Sequence, residues 1–259
     1  MKRRWMGGCA AIALLALLSL AACRGSEDTA SSSQELESQP ESAVESTVSD
    51  PDDGLDKNEQ METQIKSLVK GAVTINYPQL TGMDVSQKQE ALNALLLEDA
   101  NTCLANAFPA GDSSAGIIDV TEGYRSREYL SFVSTGSFVR EGSAEPRMVF
   151  YVTNLNVQTG ERFQTPIRAH AAELAARIRS GEGYRVLTPS DALREQQTAY
   201  LQGLSEEKLT ALLSSCDYTE EDQTPQCFSY PLGEDNYAIY LPVPSSLTGY
   251  ATVQVRMTE

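Results

Sequence analysis

The segment from Arg24 to Gln60 limits where this chain can build a folded core. It consists mainly of Ser, Glu, Asp and Gln, and it has no aromatic residue and few branched apolar ones. Such a composition cannot bury enough apolar surface to offset the conformational entropy that folding costs. The sequence therefore predicts that residues 23–60 form a disordered acidic tether and that the folded domain lies within residues 61–259.

The residues before this segment have the order of an export signal. Lys2, Arg3 and Arg4 precede an apolar run from about Met6 to Leu20, and small residues follow at positions 21 and 22. A charged start, a short apolar middle and small residues before a cleavage site are the parts of a secretory signal peptide. The run is shorter than the roughly 20 apolar residues of a membrane-spanning helix. We therefore expect residues 1–22 to be removed as a signal peptide.

The end of this signal, Leu20-Ala21-Ala22-Cys23, resembles the lipobox of bacterial lipoproteins. In that family the cysteine thiol receives a diacylglycerol, and the cysteine becomes the first residue of the mature protein, often with a further acyl chain such as palmitate. The resemblance implies lipidation at Cys23, no cofactor beyond this covalent lipid, and a position on the extracytoplasmic face of the cell membrane. Two acyl chains anchor a protein durably, whereas one binds only marginally.

The formal net charge of −16 restricts the partners of the chain. Nucleic acid is excluded as a partner, because binding to phosphates requires a basic surface. A cationic protein or peptide would instead be attracted during diffusional approach.

Three cysteines remain after Cys23, namely Cys103, Cys216 and Cys227. Export permits disulfide formation. Cys216 and Cys227 flank a polar segment that a disulfide would close into a loop, with a stabilisation of about 3 kcal/mol in the chain-entropy model. The alternative is that all three cysteines are free buried thiols. Cys103 falls in a predicted helix, where we expect a small core residue.

The first half of the folded region predicts one helix among several strands. Apolar residues recur with a helical period over Ser86–Ala107, and runs rich in Val, Phe and Tyr suggest an antiparallel meander. The predicted strands are Val73–Tyr77, ending at Pro78, followed by Ile117–Tyr124, Tyr129–Arg140 and Arg147–Val157.

The second half predicts helices followed by strands. Helices are expected from Thr165-Pro166 to about Gly181, over Pro189–Tyr200 and over Ser205–Leu213. Strands are expected over Cys227–Pro231, Tyr237–Val243 and Ala251–Met257. Because strands and helices do not alternate strictly, the pattern predicts an α+β fold, with an antiparallel or mixed sheet and helices packed on one face. A division into two subdomains near residue 115 stays open.

No group of residues in the sequence predicts catalysis or metal binding. The single histidine, His170, is expected at a helix surface, and no clustered Cys and His spacing suits zinc. Gly111-Asp112-Ser113 is similar to the start of a lipolytic hydrolase block, but the histidine that such an enzyme needs near its C-terminus is missing. Two carboxylates that are distant in sequence could still form a glycosidase pair. We therefore expect no enzyme activity, with a carboxylate hydrolase as the alternative.

Three segments, in order, resemble an extracytoplasmic domain family of poorly defined function. They are Ile75–Gly82 followed by Gln89–Leu97, then Asn154–Gly160, and finally Tyr237–Pro244 followed by Gly249 and Tyr250. The family occurs in the outer part of lysozyme-sensing anti-sigma factors and beside the catalytic domain of some peptidoglycan deacetylases. The resemblance implies an α+β fold and a binding role in the envelope, without an activity. The chain departs from it at Gly142–Pro146, where many members carry a Gly-Ala-His segment.

Together these features predict a lipid-anchored, non-catalytic binding or sensing module of the bacterial cell surface. The expected ligand is wall peptidoglycan or a cationic secreted protein such as lysozyme, while no residue is assigned to ligand binding. The alternatives are a wall-active hydrolase with paired carboxylates and an accessory lipoprotein of a membrane complex.

Overall fold

The computed structural model describes residues 61–108, 114–143, 145–219 and 222–257. The signal peptide, the lipidation site at Cys23, the tether and the Gly111–Ser113 motif therefore lie outside the described residues. Within the described ranges, no helix has the length and apolarity that crossing a membrane requires.

A curled mixed sheet of six strands forms the first half of the domain. Its strands follow one another in chain order, and each neighbouring pair is antiparallel except for the parallel pair β2 and β3. The strands are β1 (Glu62–Lys70), β2 (Ala72–Thr81), β3 (Ser114–Arg125), β4 (Tyr129–Arg140), β5 (Arg147–Asn156) and β6 (Glu161–Arg162). A parallel pair needs a crossover connection, and helix α1 (Ser86–Ala107) lies within it.

Helix α1 covers one face of this sheet. Its buried side chains include Leu92, Leu96 and Leu104, which recur with the period of one helix face. Near the start of the helix, the Asn93 side chain accepts a hydrogen bond from the backbone nitrogen of Leu80 (2.7 Å) and donates one to its carbonyl oxygen (2.9 Å). Since both atoms belong to one residue of β2, this amide fixes the helix against the end of that strand.

A second sheet of four antiparallel strands forms the other half. Its order is β7-β10-β9-β8, with β7 (Tyr184–Leu187), β8 (Phe228–Gly233), β9 (Asn236–Pro242) and β10 (Tyr250–Arg256). Helices α2 (Ala171–Ser180), α3 (Asp191–Gly203) and α4 (Glu206–Ser214) share a core with it that includes Leu174, Ile178, Leu201, Ile239 and Val253. The hydroxyls of Ser190 and Ser205 cap α3 and α4.

The two sheets pack together on the face of β5 that α1 leaves open. The Phe150 and Phe228 rings lie 5.8 Å apart in an edge-on arrangement. Nearby, the Asn154 amide donates a hydrogen bond of 2.7 Å to the carbonyl oxygen of Ser229. Aromatic rings from both sheets therefore pack in one core, and the buried Asn154 side chain of the first sheet is hydrogen-bonded to the backbone of the second.

The α+β class predicted from the sequence is confirmed, as is the β3-β4-β5 meander. Helix α1 has the predicted bounds. The strand predicted to stop at Pro78 continues to Thr81. A proline is tolerated there because β3 pairs only with residues 72–75 of β2, so that at Pro78 β2 has a strand partner on the β1 side alone and its other side needs no backbone N–H donor. The predicted helix from residue 166 begins only at Ala171, after a turn. Strands β1, β6 and β7 were missed.

Candidate functional site

A polar cleft of about 860 Å³ lies between α1, the residues around β6 and the loop that joins Cys216 to Cys227. This loop, the 216–227 loop, is described except for residues 220 and 221. The residues that line the cleft are Ala91, Leu95 and Glu98 of α1, then Gly160, Glu161, Arg162 and Gln164, and finally Thr219 and Gln223 of the loop.

Arg162 is the central charged residue of the cleft. Its Nη1 lies 2.6 Å from Oδ2 of Asp99, and its Nη2 lies 3.0 Å from Oε2 of Glu98. The guanidinium carbon lies 5.7 Å from the centre of the Tyr218 ring, within the range of a cation–π contact. The side chain of Arg162 is only 15% exposed. Two carboxylates and a ring therefore compensate its charge before any ligand arrives.

Asp99 lies beneath the cleft and is fully buried. Its Oδ2 also accepts a hydrogen bond of 2.5 Å from the Thr153 hydroxyl of β5. Burial raises the pKa of Asp99 to about 6, although the charge of Arg162 and the hydrogen bond from Thr153 oppose this increase. Since its carboxyl group does not reach the surface, Asp99 orients Arg162 and does not itself contact a ligand.

A second buried carboxyl group holds the start of the 216–227 loop. Asp217 accepts hydrogen bonds from the backbone nitrogen and the hydroxyl of Ser229, both at 2.6 Å, and from the Thr165 hydroxyl at 3.0 Å. Burial raises the pKa of Asp217 to about 6, and the hydrogen bonds from Ser229 oppose this increase. Its backbone has φ of +66°, a left-handed conformation that Asp tolerates better than most residues.

Further side chains keep this loop in place as a wall of the cleft. The Arg168 guanidinium donates to the carbonyl oxygen of Cys216 at 3.0 Å, and the Gln164 amide donates to that of Tyr218 at 2.8 Å. Polar side chains therefore tie the backbone of this loop to the body of the domain at Cys216 and Tyr218.

The cleft carries more negative than positive charge. Glu98 and Glu161 line it, and the side chain of Glu98 is 55% exposed. Among the described residues of the lining, Arg162 is the one basic residue, and it is already paired. Gln164, Thr219 and Gln223 add neutral hydrogen-bonding groups. The arrangement suits a cationic group or a hydroxyl-rich ligand. Among the described residues, no group of three His, Cys, Asp or Glu side chains could hold a metal ion.

The structure brings the two cysteines of the predicted disulfide together. Cys216 and Cys227 are partners in an isolated parallel β-bridge, and both are buried. Both are thiols in this structure, so their pairing stays a prediction. Cys103 is buried in the core, as expected.

His170 is exposed, lies 3.3 Å from Oε2 of Glu173 and does not line the cleft.

Sequence reasoning assigned none of the residues that build the cleft. One signal was visible, because Asp99 falls on the apolar face of α1 between Leu96 and Cys103. A carboxylate at such a position requires a buried partner. The partner itself, Arg162, lies 63 residues further along the chain and could not be identified before the sheet was known.

Comparison with known proteins places the chain near structures of undefined function. No protein-family model matches it, and no curated protein matches it. A solved structure of a DUF3298 family member from Bacteroides fragilis is similar with 13% identity, 76% of this chain and 89% of that chain covered, and a TM-score of 0.40. A DUF3298 family protein from Pseudomonas aeruginosa is similar with 10% identity, 74% and 93% covered, and a TM-score of 0.34. Neither description names a ligand or an activity.

Proposed function

We propose that this chain is a lipid-anchored, non-catalytic binding module on the extracytoplasmic face of the bacterial cell membrane, and that its cleft receives a cationic group of a secreted protein such as lysozyme. The observation that carries the proposal is the surplus of carboxylates in the cleft. Glu98 and Asp99 already pair with Arg162, and among the described residues no basic side chain forms an ion pair with Glu161, so this carboxylate is an acceptor for a ligand.

The charge of the whole chain supports the same ligand. A formal net charge of −16 attracts a basic protein over several ångströms before contact, and this attraction weakens with ionic strength. Inside a partly enclosed cleft, a lysine or arginine head gains more from a carboxylate than it does on an open surface. The anchor places this site where secreted proteins diffuse.

Wall peptidoglycan is the second ligand of the proposal. The neutral side chains of Gln164, Thr219 and Gln223 offer donors and acceptors that suit sugar hydroxyls and amides. The two ligands differ in their response to salt, since only the basic protein depends on long-range attraction.

The binding experiment uses the mature chain from Arg24 onward, without lipid. It is immobilised and exposed to lysozyme or to purified peptidoglycan at low and moderate salt. We expect the native chain to retain lysozyme, and to retain less of it at moderate salt than at low salt. The Glu98→Gln/Glu161→Gln double variant should retain several-fold less lysozyme than the native chain. The matched control is Glu182→Gln/Glu195→Gln, two exposed glutamates that do not line the cleft. Equal retention by the two double variants, or no retention of either ligand, would refute this use of the cleft.

The anchor is tested separately in cells of a bacterium that processes lipoproteins. The native chain should fractionate with membranes and carry a mass increment of diacylglycerol on Cys23. A Cys23→Ala variant should lose that increment. A native chain that is recovered without lipid would reject the anchor while leaving the cleft untouched.

A wall-active hydrolase is a second candidate, because glycosidases use a pair of carboxylates in one cleft, and Glu98 and Glu161 both line this cleft. Incubation of the mature chain with purified peptidoglycan tests it. Soluble fragments that disappear with Glu161→Gln would establish the hydrolase, and the absence of fragments after long incubation would reject it.

A further inference from the structure

A second cavity, which we call the groove, lies on the other side of the 216–227 loop. It measures about 320 Å³, at the lower end of the range for ligand sites. Its lining combines the first residues of β5 with the end of α1, the 216–227 loop and the second sheet. Four rings contribute to it, those of Phe138, Phe150, Tyr218 and Phe228.

The groove runs beside an unpaired edge of β5. Strand β6 pairs only with Leu155 and Asn156, so within the described part of the chain the residues from Arg147 to Thr153 have a strand partner on one side only. On the free side, the carbonyl oxygen of Asn154 accepts a hydrogen bond of 3.0 Å from the nitrogen of Phe163. Because backbone groups alternate in direction along a strand, those of Met148 and Phe150 point to this same edge.

The remaining length of the edge is short. Further along β5, the free side is occupied by the residues around β6, and Tyr218, which lines the groove, also lines a small pocket with Val152 and Asn154. An open stretch from Arg147 to Phe150 matches about four residues of an added strand at roughly 3.3 Å per residue. The groove therefore suits a short extended segment that leaves the edge near Phe150 and pairs with β5 over about four residues.

Charge determines which end of a peptide fits. Arg147 is the one charged residue among the described residues that line the groove, and its guanidinium carbon lies 5.6 Å from the centre of the Phe138 ring. Among the described residues, no carboxylate lies within ion-pairing distance of Arg147. Arg147 begins β5, so an antiparallel strand added at this edge would end beside it, with its carboxyl terminus facing the guanidinium.

We propose that the groove binds the carboxyl terminus of an extended peptide with an apolar last residue. The peptide adds as a short antiparallel strand to the free edge of β5, its last side chain packs against the rings of Phe150 and Phe228 on the face of β5 that meets the second sheet, and its carboxylate pairs with Arg147. Strand addition and capture of a terminal carboxylate are both established modes of peptide recognition. This site is separate from the cleft, although both are lined by the 216–227 loop, and it takes a ligand of opposite charge.

The test uses tetrapeptides of the form Thr-Val-Thr-X, with X as Phe, Leu or Val and with a fluorophore at the amino terminus. Fluorescence anisotropy with the mature chain compares the free carboxylate, the carboxy-terminal amide and a carboxylate form with N-methylated internal amides. We expect at least one carboxylate peptide to bind. Its amide should bind roughly tenfold more weakly, since a charge-assisted hydrogen bond is lost. The N-methylated form should not bind.

Three variants localise the binding. Arg147→Gln should remove the preference for the carboxylate over the amide, while Arg185→Gln, an exposed arginine of β7 outside the groove, should leave it unchanged. Ala107→Phe, at the end of α1, should fill the groove and abolish binding. Circular dichroism checks that each variant is folded.

Three results would overturn the proposal: no binding by any carboxylate peptide at millimolar concentration, equal binding by carboxylate and amide, or undiminished binding after N-methylation. The last result would show that the groove takes a small acid without strand addition. Lysozyme retention by Arg147→Gln should match that of the native chain, so failure of the groove and failure of the cleft are distinguishable.

Discussion

The cleft and the groove share one wall, the 216–227 loop, yet they use arginine in opposite ways. In the cleft, Arg162 is 15% exposed and paired with two carboxylates, so its charge serves the architecture. In the groove, Arg147 is exposed and has a ring contact but no acid partner within the described residues. The burial and partners of an arginine, more than its presence in a lining, therefore decide which ligand charge a cavity accepts.

Replacing each of these two arginines by methionine should change the free energy of unfolding by very different amounts. Arg162→Met leaves the buried carboxyl of Asp99 without its charged partner, and we expect the free energy of unfolding to fall by about 3 kcal/mol. Arg147→Met removes an exposed cation and should change it by no more than about 0.5 kcal/mol. Urea unfolding of the mature chain measures both. Similar losses in the two variants would remove the distinction.

The two buried carboxyl groups, Asp99 and Asp217, should make the stability of the protein depend on pH. Burial raises the pKa of Asp99 and of Asp217 to about 6, from 3.8. The folded state therefore holds protons that the unfolded chain has already lost, and these groups make the free energy of unfolding fall as pH rises from about 4 to about 6. Each contributes a penalty of up to about 3 kcal/mol that is complete at pH 7.

Thermal unfolding between pH 4 and pH 7 measures this slope. Asp99→Asn and Asp217→Asn should each flatten it, because an amide keeps the acceptor and does not titrate in this range. Glu161→Gln, at an exposed position of the cleft, is the matched control. An unchanged slope in both Asn variants would show that other groups set it.

The shared wall should respond to the redox state of its two ends. We expect Cys216 and Cys227 to form a disulfide in the exported protein, with a stabilisation of about 3 kcal/mol that reduction removes. Alkylation under denaturing conditions, followed by mass spectrometry, should label only Cys103 before reduction and all three cysteines afterwards. Labelling of all three without reduction would refute the bridge. Because the loop lines both cavities, reduction should weaken lysozyme and peptide binding together.

A small difference in stability is expected when Gly249, which lines the groove from the second sheet, is replaced by alanine. Gly249 and Gly142 both have φ of +81°, but a Cβ on Gly249 would lie 3.1 Å from the Met148 side chain, whereas a Cβ on Gly142 would meet nothing within 4 Å. Gly142→Ala should cost about 1 kcal/mol for its conformation alone. Gly249→Ala should cost a few tenths more, because Met148 must shift. Equal thermal stabilities would mean that Met148 moves freely.

Much of the local structure could be predicted, because it depends on neighbouring residues. The bounds of α1 follow from its apolar period, and the meander follows from long runs of strand-forming residues. Strand β1 was missed because most of its side chains are exposed, which leaves little alternation to detect. Strand β7 has only four residues, too few for a pattern.

The candidate site could not be predicted, because its members are joined only by tertiary structure. Glu98 and Asp99 come from a helix, Arg162 from a two-residue strand, and Thr219 from a loop. The unexpected charge on the apolar face of α1 marked Asp99 as a residue in need of a partner. No local pattern indicated which of the chain's arginines would supply it.

The acidic charge, the α+β class and the bounds of helix α1 follow from the amino-acid sequence alone, since they depend on composition and on periods of two and 3.6 residues. The sequence also predicts the anchor at Cys23. Three features of the described residues follow from tertiary contacts alone: β6 leaves most of the β5 edge open, the 216–227 loop lines two cavities, and Arg162 has acid partners while Arg147 has none. The physical reason is that strand order, register and burial are set by contacts between residues distant in the chain.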